Sequence, residues 1–118
     1  MKDKAFVFND TETTGLNTWF SQIIQIGSVL TDSEFNVDEE LNINSKVLPW
    51  VVPTKGAYET HKQVESLSVG MSHYEMMHFL KDKWLNWGRS KELVHVTYNG
   101  MSFDEELFRR QFYWNLID

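Results

Sequence analysis

The sequence contains no cysteine. A disulfide framework, a cysteine-ligated zinc knuckle and a thiol nucleophile are therefore excluded, and a reducing compartment fits that absence. There is no apolar run of the roughly 20 residues that a membrane span requires. The start, Met1-Lys2-Asp3-Lys4, passes straight into a strand-like run with no secretory signal, so a cytoplasmic protein with no membrane partner is expected. Internal repeats and low-complexity tracts are absent. Positive charge is in deficit: 11 Lys and Arg stand against 17 Asp and Glu, for a net charge of −6. That argues against a protein that grips nucleic acid through a general basic coat, but not against an enzyme that meets a few phosphates through bound metal.

What is present is a chain of 118 residues, 42% of them hydrophobic and 14% aromatic. This is one small domain with a modest core. Ala5–Asn9 is short, apolar and aromatic, and reads as a buried strand. Turn chemistry follows over Thr11–Asn17, centred on Gly15. Ile23–Thr31 reads as a second strand, Asp32, Ser33 and Asn36 as a turn, and Leu41–Leu48 as a third strand, giving an antiparallel meander. Pro49, Pro53 and Gly56 mark a loop, and residues 61–67 a short helical turn.

Ser72 and Glu75 form a capping box opening a helix to about Trp87, with Met77, Leu80, Trp84 and Trp87 on one side and Gly88 as C-terminal cap. Leu93–Tyr98 is a fourth strand and Asn99-Gly100 a turn. Ser102 and Glu105 form a second capping box, opening a helix nearly to the chain end. Phe103, Leu107, Phe108, Phe112 and Leu116 are expected to face the sheet. The order is β-β-β-α-β-α.

Chemistry concentrates in Asp10-Thr11-Glu12. Residues two apart in a strand project from one face, so Asp10 and Glu12 can present two carboxylates to one point. Two acids so close repel unless a cation or proton lies between them, and Mg²⁺ prefers such oxygen ligands. A solvated acidic turn is the alternative for the pair alone. The second feature is Asn99-Gly100-Met101-Ser102-Phe103-Asp104, between a strand and a helix. Asp104 there suits the helix dipole, or is a third metal ligand. If the fourth strand packs beside the first, the two turns meet at one edge of the sheet.

At these residues the chain resembles the DEDD superfamily of 3′→5′ exonucleases. Phe8-Asn9-Asp10-Thr11-Glu12-Thr13-Thr14-Gly15 is similar to its first motif, Gln22–Asp32 to the strand that follows, and Tyr98–Asp104 to its second motif. QIIQIGSVLTDSEFN, GMSHYEM and FRRQFYWNL look most like the bacterial exonuclease I branch. The resemblance covers nearly the whole chain. It implies a ribonuclease H-like α/β fold: a mixed sheet of three antiparallel strands plus a fourth parallel strand, with flanking helices. It implies that Asp10, Glu12 and Asp104 hold two Mg²⁺ or Mn²⁺ ions for two-metal hydrolysis of single-stranded DNA from its 3′ end, releasing nucleoside 5′-monophosphates. It also implies that Thr13, Gly15, Leu16, His61, Asn99 and Phe103 match family positions near the substrate.

The family also uses a fourth carboxylate downstream, with a histidine general base in one branch. His78 and Asp82 do not fit that role and read as a helix-surface pair. Residues 1–118 therefore look like the N-terminal portion of an exonuclease domain, incomplete, with little activity expected alone. Trp84, Trp87 and Trp114 could stack on bases, though their helical spacing points first to core or partner contact. The apolar fourth strand, if left as an edge, is expected to drive self-association. A proofreading or ribonuclease T-like exonuclease, a non-catalytic metal- or nucleic-acid-binding module and an acidic interaction domain are the other readings.

Overall fold

The structure is a computed structural model that describes residues 2–15, 21–48, 51, 70–97 and 105–117, the Glu105 side chain excepted. It contains β1 (Asp3–Thr13), β2 (Ile23–Thr31), β3 (Val37–Asn44), α1 (His73–Trp87), β4 (Lys91–Thr97) and α2 (Glu105–Trp114). The sheet order is β3-β2-β1-β4. β1 pairs antiparallel with β2, β2 antiparallel with β3, and β1 parallel with β4. The expected meander with a fourth parallel strand is what the chain forms. The capping expectation at Ser102 and the short turn at 61–67 lie outside the described residues.

β1 alternates strictly: Ala5, Val7 and Asn9 are buried, while Phe6 and Phe8 are half-buried on the other face. The helices cover the first face. Ile23, Ile26, Ile43, Met76, Met77, Leu80, Leu107, Phe108 and Ile117 form one buried cluster there. Ala5, Val7, Leu30 and Trp87 form a second. On α1 the apolar positions recur at three- and four-residue spacing, so Met76, Met77, Leu80 and Trp87 are buried, while Trp84 is half-buried. The Ser72 hydroxyl accepts the Glu75 N–H at 3.1 Å, as the capping box requires. Gly88 caps the other end in a right-handed conformation, φ −77°.

Several boundaries differ from expectation. β1 runs on through Thr11–Thr13, where a turn was expected, because Thr11, Glu12 and Thr13 still pair with Ile26, Gln25 and Ile23. β3 starts at Val37 and ends at Asn44, four residues earlier than read. The cause is a tight turn whose hub is Asp32. Its carboxylate accepts the N–H groups of Glu34 and Asn36 at 2.8 and 2.9 Å and the Asn36 side-chain amide at 3.0 Å. The Asn36 side chain first, then its N–H, holds the Asp32 carboxyl below its ordinary range.

The acidic start of β3 is compensated from elsewhere. Glu39 accepts from Lys83 and from the Trp87 indole, both at 2.6 Å, and these contacts, Lys83 first, lower its pKa. Asp38 meets Lys91 at 2.7 Å. Leu116 was expected on the sheet-facing side but is 89% exposed. The helix ends before it: Ile117 N–H reaches Phe112 O and Leu116 N–H reaches Tyr113 O. That is a Schellman turn, which turns Leu116 outward and buries Ile117 in its place.

Candidate metal centre

The candidate centre is built on the far end of β1. Asn9 points into the helix-covered face, accepts a hydrogen bond from the Ser28 hydroxyl of β2, and meets His95 Nδ1 of β4 at 3.1 Å through its amide nitrogen. Anchoring Asn9 inward commits the next residue outward. Asp10 is therefore exposed on the opposite face, and Glu12, two residues on, shares that face half-buried. The residue paired with Asp10 across the ladder is Gly27, so no side chain from β2 stands over the Asp10 carboxylate. Among the described residues, no hydrogen bond or ion pair engages either carboxylate.

Two adjacent carboxylates on one face, without a neutralising cation, are hard oxygen donors of the kind Mg²⁺ or Mn²⁺ takes. The donor set fits a divalent ion. Among the described residues no cluster of three or more His, Cys, Asp or Glu forms. Asp104 lies outside the described residues, as do Leu16, His61, Asn99 and Phe103. The chain leaves β4 at Thr97, which sits opposite Asn9 in the parallel ladder.

Thr13 and Gly15 are close to each other: the Thr13 hydroxyl donates to Gly15 O at 2.8 Å. This shapes the turn after β1. A bulge at Glu12/Thr13, where the register with β2 shifts, bends the strand at the same point. His78 and Asp82 do not form a pair with each other. His78 donates to Asn115 O at 2.9 Å and lies 3.9 Å from the Tyr74 ring, while Asp82 meets Lys81 at 3.4 Å.

Two buried amides that sequence reasoning passed over hold this end of the sheet together. Gln22 is fully buried. Its carbonyl accepts from Thr14 N–H and its own N–H donates to the Thr14 hydroxyl, while its side chain donates to Ser45 Oγ and Lys46 O and accepts from Leu48 N–H. Gln111 of α2, also fully buried, accepts from Ile23 N–H at 2.9 Å and donates to Ser21 O at 2.7 Å. It also meets His73 Nε2 at 2.6 Å, and Asn115 donates to His73 Nδ1 at 3.0 Å. The second contact fixes the neutral imidazole, with its proton on Nε2. Burial holds the His73 pKa below its ordinary value, partly opposed by Gln111 and Asn115. A detectable signal existed: Gln111 and Asn115 interrupt an otherwise apolar stripe on α2.

A mixed sheet in the order β3-β2-β1-β4, parallel at β1 and β4 and flanked by helices, defines the ribonuclease H-like class to which DEDD exonucleases conform. The particular likeness is to exonuclease I. No protein-family model and no curated protein matches the chain. Among solved structures it is similar to Escherichia coli exonuclease I bound to a dT13 oligonucleotide, with TM-score 0.82 and 25% identity over 98% of this chain and 25% of that one. A product-bound exonuclease I gives 0.83 and 25% over 99% and 27%. A zinc-bound E. coli exonuclease I complex with single-stranded DNA gives 0.83 and 26% over 99% and 25%. The resemblance read from the motifs is thus borne out across nearly the whole chain. The chain spans about a quarter of the length of the exonuclease I structures it matches.

Proposed function

We propose that this chain carries the acidic first half of a metal-dependent 3′→5′ exonuclease site that acts on single-stranded DNA. The observation that carries the reading is the placement of Asp10 and Glu12. They share one face of β1, opposite a glycine, in a fold similar to exonuclease I. In this reading Asp10, Glu12 and Asp104 hold two Mg²⁺ or Mn²⁺ ions. Such ions, when bound, supply water activation and charge stabilisation at the leaving oxygen.

The chain's own residues orient the substrate. In this reading the turn that Thr13 closes onto Gly15 meets the terminal nucleotide, and Leu16, His61, Asn99 and Phe103 are further substrate contacts. Gln22 keeps that turn in place from beneath. A polypeptide of these 118 residues lacks a fourth carboxylate and its histidine base in this reading. Absence of the base alone slows a proton-transfer step about 10²–10⁴-fold, so little hydrolysis is expected from it. β4 is an edge strand among the described residues, and with Val96 exposed on it, self-association through that edge belongs to the same proposal.

Calorimetric titration with Mn²⁺ tests the reading. Wild type is expected to bind, and Asp10→Ala and Glu12→Gln to lose most of the heat. Equal binding by wild type and both variants would refute it.

A further inference from the structure

We infer that Ser28 and His95 are positioning residues for the Asp10 and Glu12 carboxylates: by holding Asn9 from two strands, they set how tightly that pair takes a divalent ion. The inference deepens the proposed metal site and rests on that reading.

Asn9 differs from its neighbours on the packed face of β1. Ala5 and Val7 are apolar and fully buried there, and Asn9 is only 7% exposed. An amide in such a place costs free energy unless its polar atoms find partners. Both do. Oδ1 accepts from the Ser28 hydroxyl of β2, and Nδ2 donates to His95 Nδ1 of β4 at 3.1 Å. Ser28 is itself fully buried and lies opposite Asn9 in the antiparallel ladder. An amide nitrogen only donates, so His95 accepts at Nδ1 and, when neutral, carries its proton on Nε2. The Asn9 side chain is thus tied to the strand on each side of β1.

His95 stands exposed on the edge strand, and its ring is braced from the helix layer. The Trp84 ring of α1 lies 4.5 Å from it between centroids. Trp84 in turn meets Phe108 and Phe112 of α2 edge-on, at 5.4 and 5.8 Å.

What the network governs is the residue that follows. Among the described residues the β1–β4 ladder ends at Asn9, paired with Thr97, while Asp10, Thr11 and Glu12 pair with β2 alone. Gly27 stands opposite Asp10, and the register shifts just after Glu12. Both carboxylates therefore stand on a stretch of strand supported from one side, between Asn9 and a bulge. Asn9 is the last point at which β1 is held from both sides. Fixing its side chain inward fixes the pleat that aims Asp10 and Glu12 outward. A buried polar group with its partners in place stiffens the backbone that carries it. A metal site gains affinity when its ligands are held in place before the ion arrives.

The test is calorimetric titration of the 118-residue chain with Mn²⁺ at pH 8, above the ordinary histidine value of about 6.5. Asn9→Ala and His95→Leu should each weaken binding about tenfold, the lower end of what losing a supporting hydrogen bond costs a metal site. The double variant should bind as Asn9→Ala does, because His95 acts through Asn9. His95→Gln, whose amide oxygen accepts from Asn9, should return to within about threefold of wild type. Ile43→Val, a core truncation on β3, should lower the melting temperature and keep wild-type affinity. In the metal-free chain, the Asn9 side-chain amide resonances should be shifted from their free position in wild type and His95→Gln, and return to it in His95→Leu.

Wild-type affinity in His95→Leu overturns the inference, as do additive losses in the double variant or an equal loss in Ile43→Val. Should far-UV circular dichroism show His95→Leu unfolded, Ser28→Ala decides in its place: weaker Mn²⁺ binding supports the inference and wild-type affinity overturns it. No Mn²⁺ binding by wild type refutes the metal reading and this inference with it. Binding that Asp10→Ala abolishes and His95→Leu leaves intact refutes this inference alone.

Discussion

Leu116 breaks two rules at one position. It is 89% exposed and adopts φ 61°, a left-handed conformation that costs an L-residue roughly 1–2 kcal/mol. At the C′ position of a Schellman turn glycine is the usual occupant. Leu116→Gly is therefore expected to stabilise the fold by about 0.5–1 kcal/mol, the remainder being offset by glycine's own entropy, as read from urea midpoints. His73 gives a second residue-scale prediction. Its pKa is lowered on folding by burial, so the unfolded chain binds the proton more readily. Stability from this group is intact above the ordinary histidine value of about 6.5 and is lost as pH falls below it. Melting temperatures should decline below that pH, and His73→Asn should flatten the decline. These residues also mark a limit of reading from sequence. Leu116 fits an apolar helical stripe, and nothing local announces that the helix stops before it.

Among the elements, those with strong periodicity were legible and those governed by remote partners were not. Ile23–Thr31 was read with the bounds it has, and α1 was fixed by Ser72, its apolar spacing and Gly88. β3 was displaced because Val37-Asp38-Glu39-Glu40 looks like a solvated loop until Lys83, Trp87 and Lys91 are brought to it. β1 was cut short because Thr11–Thr13 reads as turn chemistry, whereas the ladder to β2 overrides it. Besides its apolar contacts, α2 is hydrogen-bonded to the sheet end through Gln111. Gln111→Leu would leave Ile23 N–H, Ser21 O and His73 Nε2–H without their partner. At roughly 1–3 kcal/mol per buried orphan, partly relieved by relaxation, the expected loss is about 3 kcal/mol in denaturant unfolding. A loss below about 1 kcal/mol would show that α2 is held by its apolar face alone.

At the scale of the whole molecule, one face of the sheet is packed and, among the described residues, the other is thinly covered. Phe6, Phe8 and Phe35 cluster there with ring centroids 4.9–6.4 Å apart, and Phe35 is 61% exposed. Asp10 and Glu12 share this face. With β4 at the edge, the 118-residue chain is expected to associate as its concentration rises, which light scattering would detect, and Val96→Lys should reduce that association. The fold and the carboxylate pair were both legible, because each is local: alternation in one strand, and a spacing of two. The sequence made the placement of the two turns conditional on the fourth strand lying beside the first, and the parallel pairing of Asn9 with Thr97 supplies that strand arrangement, while residues 98–104 lie outside the described residues. The central claim is that divalent metal gathers at the end of β1. Mn²⁺-induced broadening of amide resonances tests it directly. The account predicts that Asp10–Thr13, Gly27 and the residues at and after Thr97 broaden first. Broadening led by Asp38 and Glu40 on β3, with Asp10 and Glu12 unaffected, would contradict it.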